Sequence, residues 1–78
     1  MPAWTVYVRP ECGLCEELLE ALAEQLGGRS ADVTVVDISD DPALEQRYGH
    51  RIPVLLADGD FVCAYHLDHA RVAAHLDG

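Results

Sequence analysis

Cys12 and Cys15 are separated by Gly13-Leu14, and the pair stands where an extended run gives way to a helical one. A spacing of three puts both side chains on one face of a helix start, within disulfide reach of each other. A cysteine at a helix N-terminus meets unpaired backbone N–H groups and the positive end of the helix dipole. Both favour thiolate, the nucleophile of thiol–disulfide exchange. Cys12 is therefore placed to attack a disulfide, and Cys15, one turn inside, to resolve the mixed disulfide. Arg9, three residues before Cys12, adds positive charge, while Glu11, Glu16 and Glu17 oppose it. The sign of the local field stays open at this level.

The remaining candidates are weaker. Cys63 shares an alternating strand face with Phe61 and Tyr65 and reads first as a small buried hydrophobe, second as another redox thiol beside Cys12. Cys12, Cys15, Cys63 and His66 also spell a C-x2-C…C-x2-H zinc set. Residues three apart on a strand point to opposite faces, which argues against it. His69 falls in the first turn of a last helix. His50 and His75 lack a partner at ligand spacing and are expected to be solvated. Asp37 closes a strand, with loop hydrogen bonding as its expected role. Trp4 and Tyr7 read as core and rim.

The elements that must position these groups follow from period and punctuation. Trp4–Val8 is β-branched and aromatic, stopped by Arg9-Pro10, and predicts a strand. Leu14, Leu18, Leu19, Leu22, Ala23 and Leu26 recur at helical spacing with glutamates on the other face, and Gly27-Gly28 caps the end. Val33–Ile38 is a second strand. Asp40 or Asp41 caps a short helix over 42–48 with Pro42 at its first position and Gly49 at its end. Ile52 to Ala57 and Phe61 to Tyr65 flank Asp58-Gly59 as a hairpin. Asp68 caps a last helix, with Leu67 and Val72 as its hydrophobic staple. The order β-α-β-α-β-β-α, with a right-handed first crossover, predicts an α/β fold: a four-stranded mixed sheet with helices on both faces. Residues 1–78 form one domain.

Arg9-Pro10-Glu11-Cys12-Gly13-Leu14-Cys15, followed by Asp37, Tyr48-Gly49, Ile52-Pro53-Val54 and Asp58-Gly59, resembles the small bacterial glutaredoxin-like proteins of the thioredoxin superfamily. The likeness runs from Thr5 to Leu76. It implies a thioredoxin-like fold, dithiol exchange through Cys12 and Cys15, and a cis Ile52–Pro53 bond beside the reactive cysteine. It further implies that Ile52 and Pro53 contact the substrate, with Arg9 as an electrostatic helper there. No metal or organic cofactor is expected, with glutathione or a reductase as electron donor. The chain departs from typical glutaredoxins in two places. Gly13-Leu14 replaces Pro-Tyr between the cysteines. Counting on from Pro53, Cys63-Ala64 replaces a Gly-Gly pair, and Tyr65-His66-Leu67 stand where glutathione ligands are expected. The competing reading is a non-enzymatic binding or metal-carrying module.

Composition narrows the partners. The chain has 78 residues, fourteen Asp and Glu against five arginines, no lysine, and a formal net charge of −9. Nucleic acid and anionic membrane are excluded as partners, since neither is neutralised by more negative charge. No run approaches the ~18–20 apolar residues of a membrane span. Met1 to Arg9 reads as a strand, not a leader. A cytoplasmic monomer acting on protein or small-molecule disulfides is the expectation, and in that compartment paired cysteines are usually catalytic, redox-sensing or metal-binding rather than structural.

Overall fold

The computed structural model describes residues 2–77; Met1, which the sequence reading joined to the first strand, lies outside them. The elements are β1 Trp4–Val8, α1 Gly13–Leu26, a 3-10 stretch Gly27–Asp32, β2 Val33–Asp37, α2 Pro42–Tyr48, β3 Val54–Ala57, β4 Asp60–Ala64 and α3 His69–Asp77. The strands form one sheet in the order β2-β1-β3-β4. β1 runs parallel to β2, from Trp4 beside Val33 to Val8 beside Asp37, and antiparallel to β3, from Trp4 beside Ala57 to Tyr7 beside Val54. The central strand β3 is buried at every position, as a strand covered on both faces must be.

The core lies between one sheet face and two helices. Trp4, Val6, Leu55 and Val62 meet Leu18, Leu22 and Leu26 of α1 and Val72 of α3. These helical positions are spaced four apart, which lays them on one stripe. α2 lies on the other face, where Tyr48 stacks on Tyr7 with ring centroids 4.8 Å apart. α2 buries no residue. It holds its shape through its ends: the Asp41 carboxylate accepts from the N–H groups of Ala43 and Leu44, both at 3.1 Å, and Pro42 follows. The last helix starts as expected, with Asp68 accepting from Arg71 N–H at 3.1 Å. Leu67 packs on the core beside Val72.

One reading is corrected. Phe61, Cys63 and Tyr65 do not share a face. A β-bulge between Leu55 and Leu56 in the pairing sets Cys63 opposite Leu55 but Phe61 opposite Leu56. Leu55 and Leu56 point to opposite faces, so their partners do too. Cys63 therefore enters the core at 7% exposure, while Phe61 is 48% exposed. Several bounds also move by a residue or two: β2 ends at Asp37, β3 starts only at Val54, and β4 spans Asp60–Ala64. No helix among the described residues is long and apolar enough to cross a membrane.

Four connections meet at one end of the sheet. The β1–α1 loop, the β2–α2 loop, the α2–β3 loop and the β4–α3 loop all leave from there, because β1 and β2 end where β3 begins and β4 ends. Chemistry-bearing residues from four parts of the sequence are thus gathered along one sheet edge.

Candidate active site

Glu11 precedes the first cysteine with φ of 56°, a left-handed conformation that costs a non-glycine residue roughly 1–2 kcal/mol. Left-handed backbone of this kind turns a chain sharply, and it stands at the passage from β1 into α1. Cys12 is then the N-cap of α1, and its sulfur accepts the Cys15 N–H at 3.1 Å. The sulfur thus occupies the position an N-capping oxygen takes elsewhere, against the unpaired donors of the first turn. Cys12 and Cys15 are joined as a disulfide, with Cα atoms 5.2 Å apart. The two are unequal in access: Cys12 is half-buried, whereas Cys15 is buried, 3% exposed. Of the two, Cys12 is the more accessible.

The α2–β3 loop lies at the same end of the sheet. The Ile52–Pro53 bond is cis. Pairing of Tyr7 with Val54 brings Pro53 level with Val8, one residue from Arg9. Pro53 is buried and Ile52 is half-buried. Arg9 reaches across the sheet edge instead of toward open solvent. Its guanidinium pairs with the Glu45 carboxylate of α2 and donates to the Gly49 carbonyl at 3.1 Å. Gly49 is a glycine for reasons of space. Its φ is an ordinary −54°, but an added Cβ would lie 2.7 Å from the Arg9 guanidinium and from the Glu45 carboxylate.

The β4–α3 loop closes the end. Tyr65 has φ of 68°, donates its N–H to the Pro53 carbonyl at 2.9 Å and its hydroxyl to the His50 carbonyl at 2.6 Å. Sequence reasoning treated Tyr65 as a departure from a pattern and missed these bonds. The only available signal was its position after Ala64, the partner of Val54. A cleft of about 170 Å³ opens beside this loop, between Tyr65 and His66 on one side and Glu17 and Ala21 of α1 on the other.

Other candidates fall outside this group. Cys63 is a free thiol in the core, and burial pushes its pKa up. Asp37 accepts from both the hydroxyl and the N–H of Ser39, at 2.7 and 2.9 Å, and these bonds hold its carboxyl below the ordinary value of 3.8. His50 and His69 are exposed, and His69 pairs with Gln25 at 2.8 Å. His75 is instead half-buried, edge-on to Trp4. Among the described residues, no three His, Cys, Asp or Glu side chains are placed to share a metal ion.

The fold recurs in known proteins. The structure of target protein XcR50 from X. campestris is 40% identical, covers 96% of each chain and superposes with a TM-score of 0.77. Protein Ne2328 from Nitrosomonas europaea is 30% identical over 95% of this chain and 89% of its own, with a TM-score of 0.84. Oxidized glutaredoxin 2 from Chlamydomonas reinhardtii, at 23% identity, shares the fold over 97% of this chain and 74% of its own, with a TM-score of 0.60. The family model of the glutaredoxin-like domain (DUF836) matches residues 4–77. A half-buried cysteine capping the first helix, a buried partner one turn on, and a proline-bearing loop at the same end of a four-stranded mixed sheet are thus carried by a chain that belongs to the glutaredoxin-like family.

Proposed function

We propose that this chain is a thiol–disulfide oxidoreductase working by a dithiol mechanism. The carrying observation is the asymmetric pair: Cys12 caps α1 and reaches the surface, while Cys15 is buried behind it in disulfide contact. In the reduced protein, the Cys12 thiolate attacks one sulfur of a substrate disulfide. A Cys12–substrate disulfide forms and the other substrate sulfur leaves as a thiolate, which takes a proton from water. The Cys15 thiolate then attacks the Cys12 sulfur, releasing the second substrate thiolate and forming Cys12–Cys15. Substrate gains two electrons and the protein loses two. Two equivalents of glutathione thiol, or a dithiol reductase, restore the pair.

Ile52 and Pro53 line the approach to Cys12 and take an extended peptide, or a small disulfide, alongside the loop. Arg9 serves this site by holding that loop through Gly49. A monomer suffices, since every group named belongs to one chain, and the reducing cytoplasm is the compartment in which such a cycle turns over.

The test is turnover of a peptide disulfide with glutathione and, separately, with thioredoxin reductase as donor. Cys12→Ser is expected to abolish turnover with both donors. Cys15→Ser is expected to stall as a Cys12 mixed disulfide, visible by mass. Lack of turnover by the wild-type chain with both donors overturns the proposal.

A further inference from the structure

The segment from Gly49 to Pro53 is held at three carbonyls by two residues remote in sequence. Arg9 takes Gly49 O at 3.1 Å, the Tyr65 hydroxyl takes His50 O at 2.6 Å, and the Tyr65 N–H takes Pro53 O at 2.9 Å. Tyr65 alone thus bridges both ends of the four residues that include Ile52. Its backbone sits at φ 68°, a region glycine enters freely and a tyrosine does not. The residue is 45% exposed, so burial does little to offset that conformation. What the tyrosine contributes, and a glycine would lack, is the hydroxyl on His50. A bulky residue kept in left-handed backbone, at the rim of a site, is where strain points to a role.

We infer that Tyr65 is a positioning residue for substrate: through His50 and Pro53 it fixes the Ile52 backbone against which a peptide lies, without itself meeting a sulfur. The inference rests on the thiol–disulfide reading. It separates two properties. Cys12 is set by its bond from Cys15 N–H, within α1. The loop is set by Tyr65. Loosening the loop weakens docking and leaves the cysteine chemistry alone.

The experiment uses Tyr65→Phe and Tyr65→Gly in the full chain, with steady-state kinetics on a peptide disulfide, the Cys12–Cys15 reduction potential, and amide exchange at Arg51, whose N–H bonds Tyr48 O at 2.8 Å inside the loop. Loss of one such hydrogen bond predicts a KM raised about fivefold in Tyr65→Phe, with kcat and potential unchanged and Arg51 exchange faster. Tyr65→Gly is expected to match or exceed that KM rise while keeping or gaining stability, which a merely structural residue would not do. An unchanged KM in Tyr65→Phe, or a shift in potential in place of KM, overturns the inference while wild-type turnover keeps the enzyme reading. Absence of wild-type turnover defeats the reading and the role together, even with faster Arg51 exchange.

Discussion

Cys63 and Gly49 show how far a residue's type can mislead about its task. Cys63 is the odd thiol of three, yet the bulge in β4 turns it into the core, where burial penalises its thiolate. In the oxidised protein it is expected to resist iodoacetamide until denaturant is added, with peptide mapping as the check. The sign of its pH effect follows from its raised pKa. Its contribution to stability is fully present below the ordinary value of 9.0 and is lost as pH rises through the folded value, because the unfolded thiol sheds its proton first. Cys63→Ala should flatten the fall in stability of the oxidised protein above about pH 9 in urea titrations run at several pH values. Gly49 has ordinary helical backbone, so it is not kept for flexibility. Gly49→Ala puts a methyl against the Glu45 carbonyl and the Arg9–Glu45 pair. A backbone atom cannot yield as a side chain does, and a cost of about 1–3 kcal/mol in denaturant unfolding is expected.

At the scale of elements, α2 is the part of the fold that rests least on packing. Seven residues are too few for a helix to stand alone in water, and none of them is buried. The Asp41 cap, Pro42, the Tyr7–Tyr48 stack and the bonds of Arg9 to Glu45 and Gly49 remain. Asp41→Ala should cost about 1 kcal/mol and speed amide exchange at Glu45 and Gly49, whose N–H groups bond Asp41 O and Glu45 O. The cap, the proline and the stopping glycine were all legible in the sequence, as were the leucine stripe of α1, the Asp58-Gly59 hairpin and the Asp68 cap. Each is a local signal, in which the residue that causes the structure sits within a few positions of its effect. From the residues alone the site was legible only where it is local in the same sense, at Cys12 and Cys15; the cis Ile52–Pro53 bond was readable only through the family resemblance. The partners of Arg9 lie 36 and 40 residues away, and the hydroxyl contact of Tyr65 lies 15 away. No period or motif records such pairs. The bulge was hidden for a related reason: Phe61, Val62 and Cys63 are all apolar, so alternation could not report which one was the extra residue.

For the whole molecule, the net charge of −9 bears on rate more than on fold. Three of the five arginines are locally engaged. Arg9 pairs with Glu45 and Arg71 lies 3.6 Å from Asp68, while Arg47 sits over the Tyr48 ring, 5.3 Å from its centre. α1, which carries both cysteines, exposes Glu16, Glu17, Glu20 and Glu24 and has no basic residue in its last turn. A substrate approaching Cys12 therefore enters a negative field. An anionic disulfide is repelled and a cationic one drawn in, by factors that reach about tenfold or more at low salt. Salt screens both effects, the Debye length falling from ~30 Å at 0.01 M to ~3 Å at 1 M. The second-order rate of Cys12–Cys15 oxidation by oxidised glutathione is thus expected to rise with sodium chloride, and the rate with cystamine to fall, the two converging at high salt. Stopped-flow measurement on the pre-reduced protein at fixed pH checks this. Parallel slopes for the two disulfides would overturn the expectation, and reversed slopes, falling for oxidised glutathione and rising for cystamine, would show that Arg9 or Arg51 governs the approach.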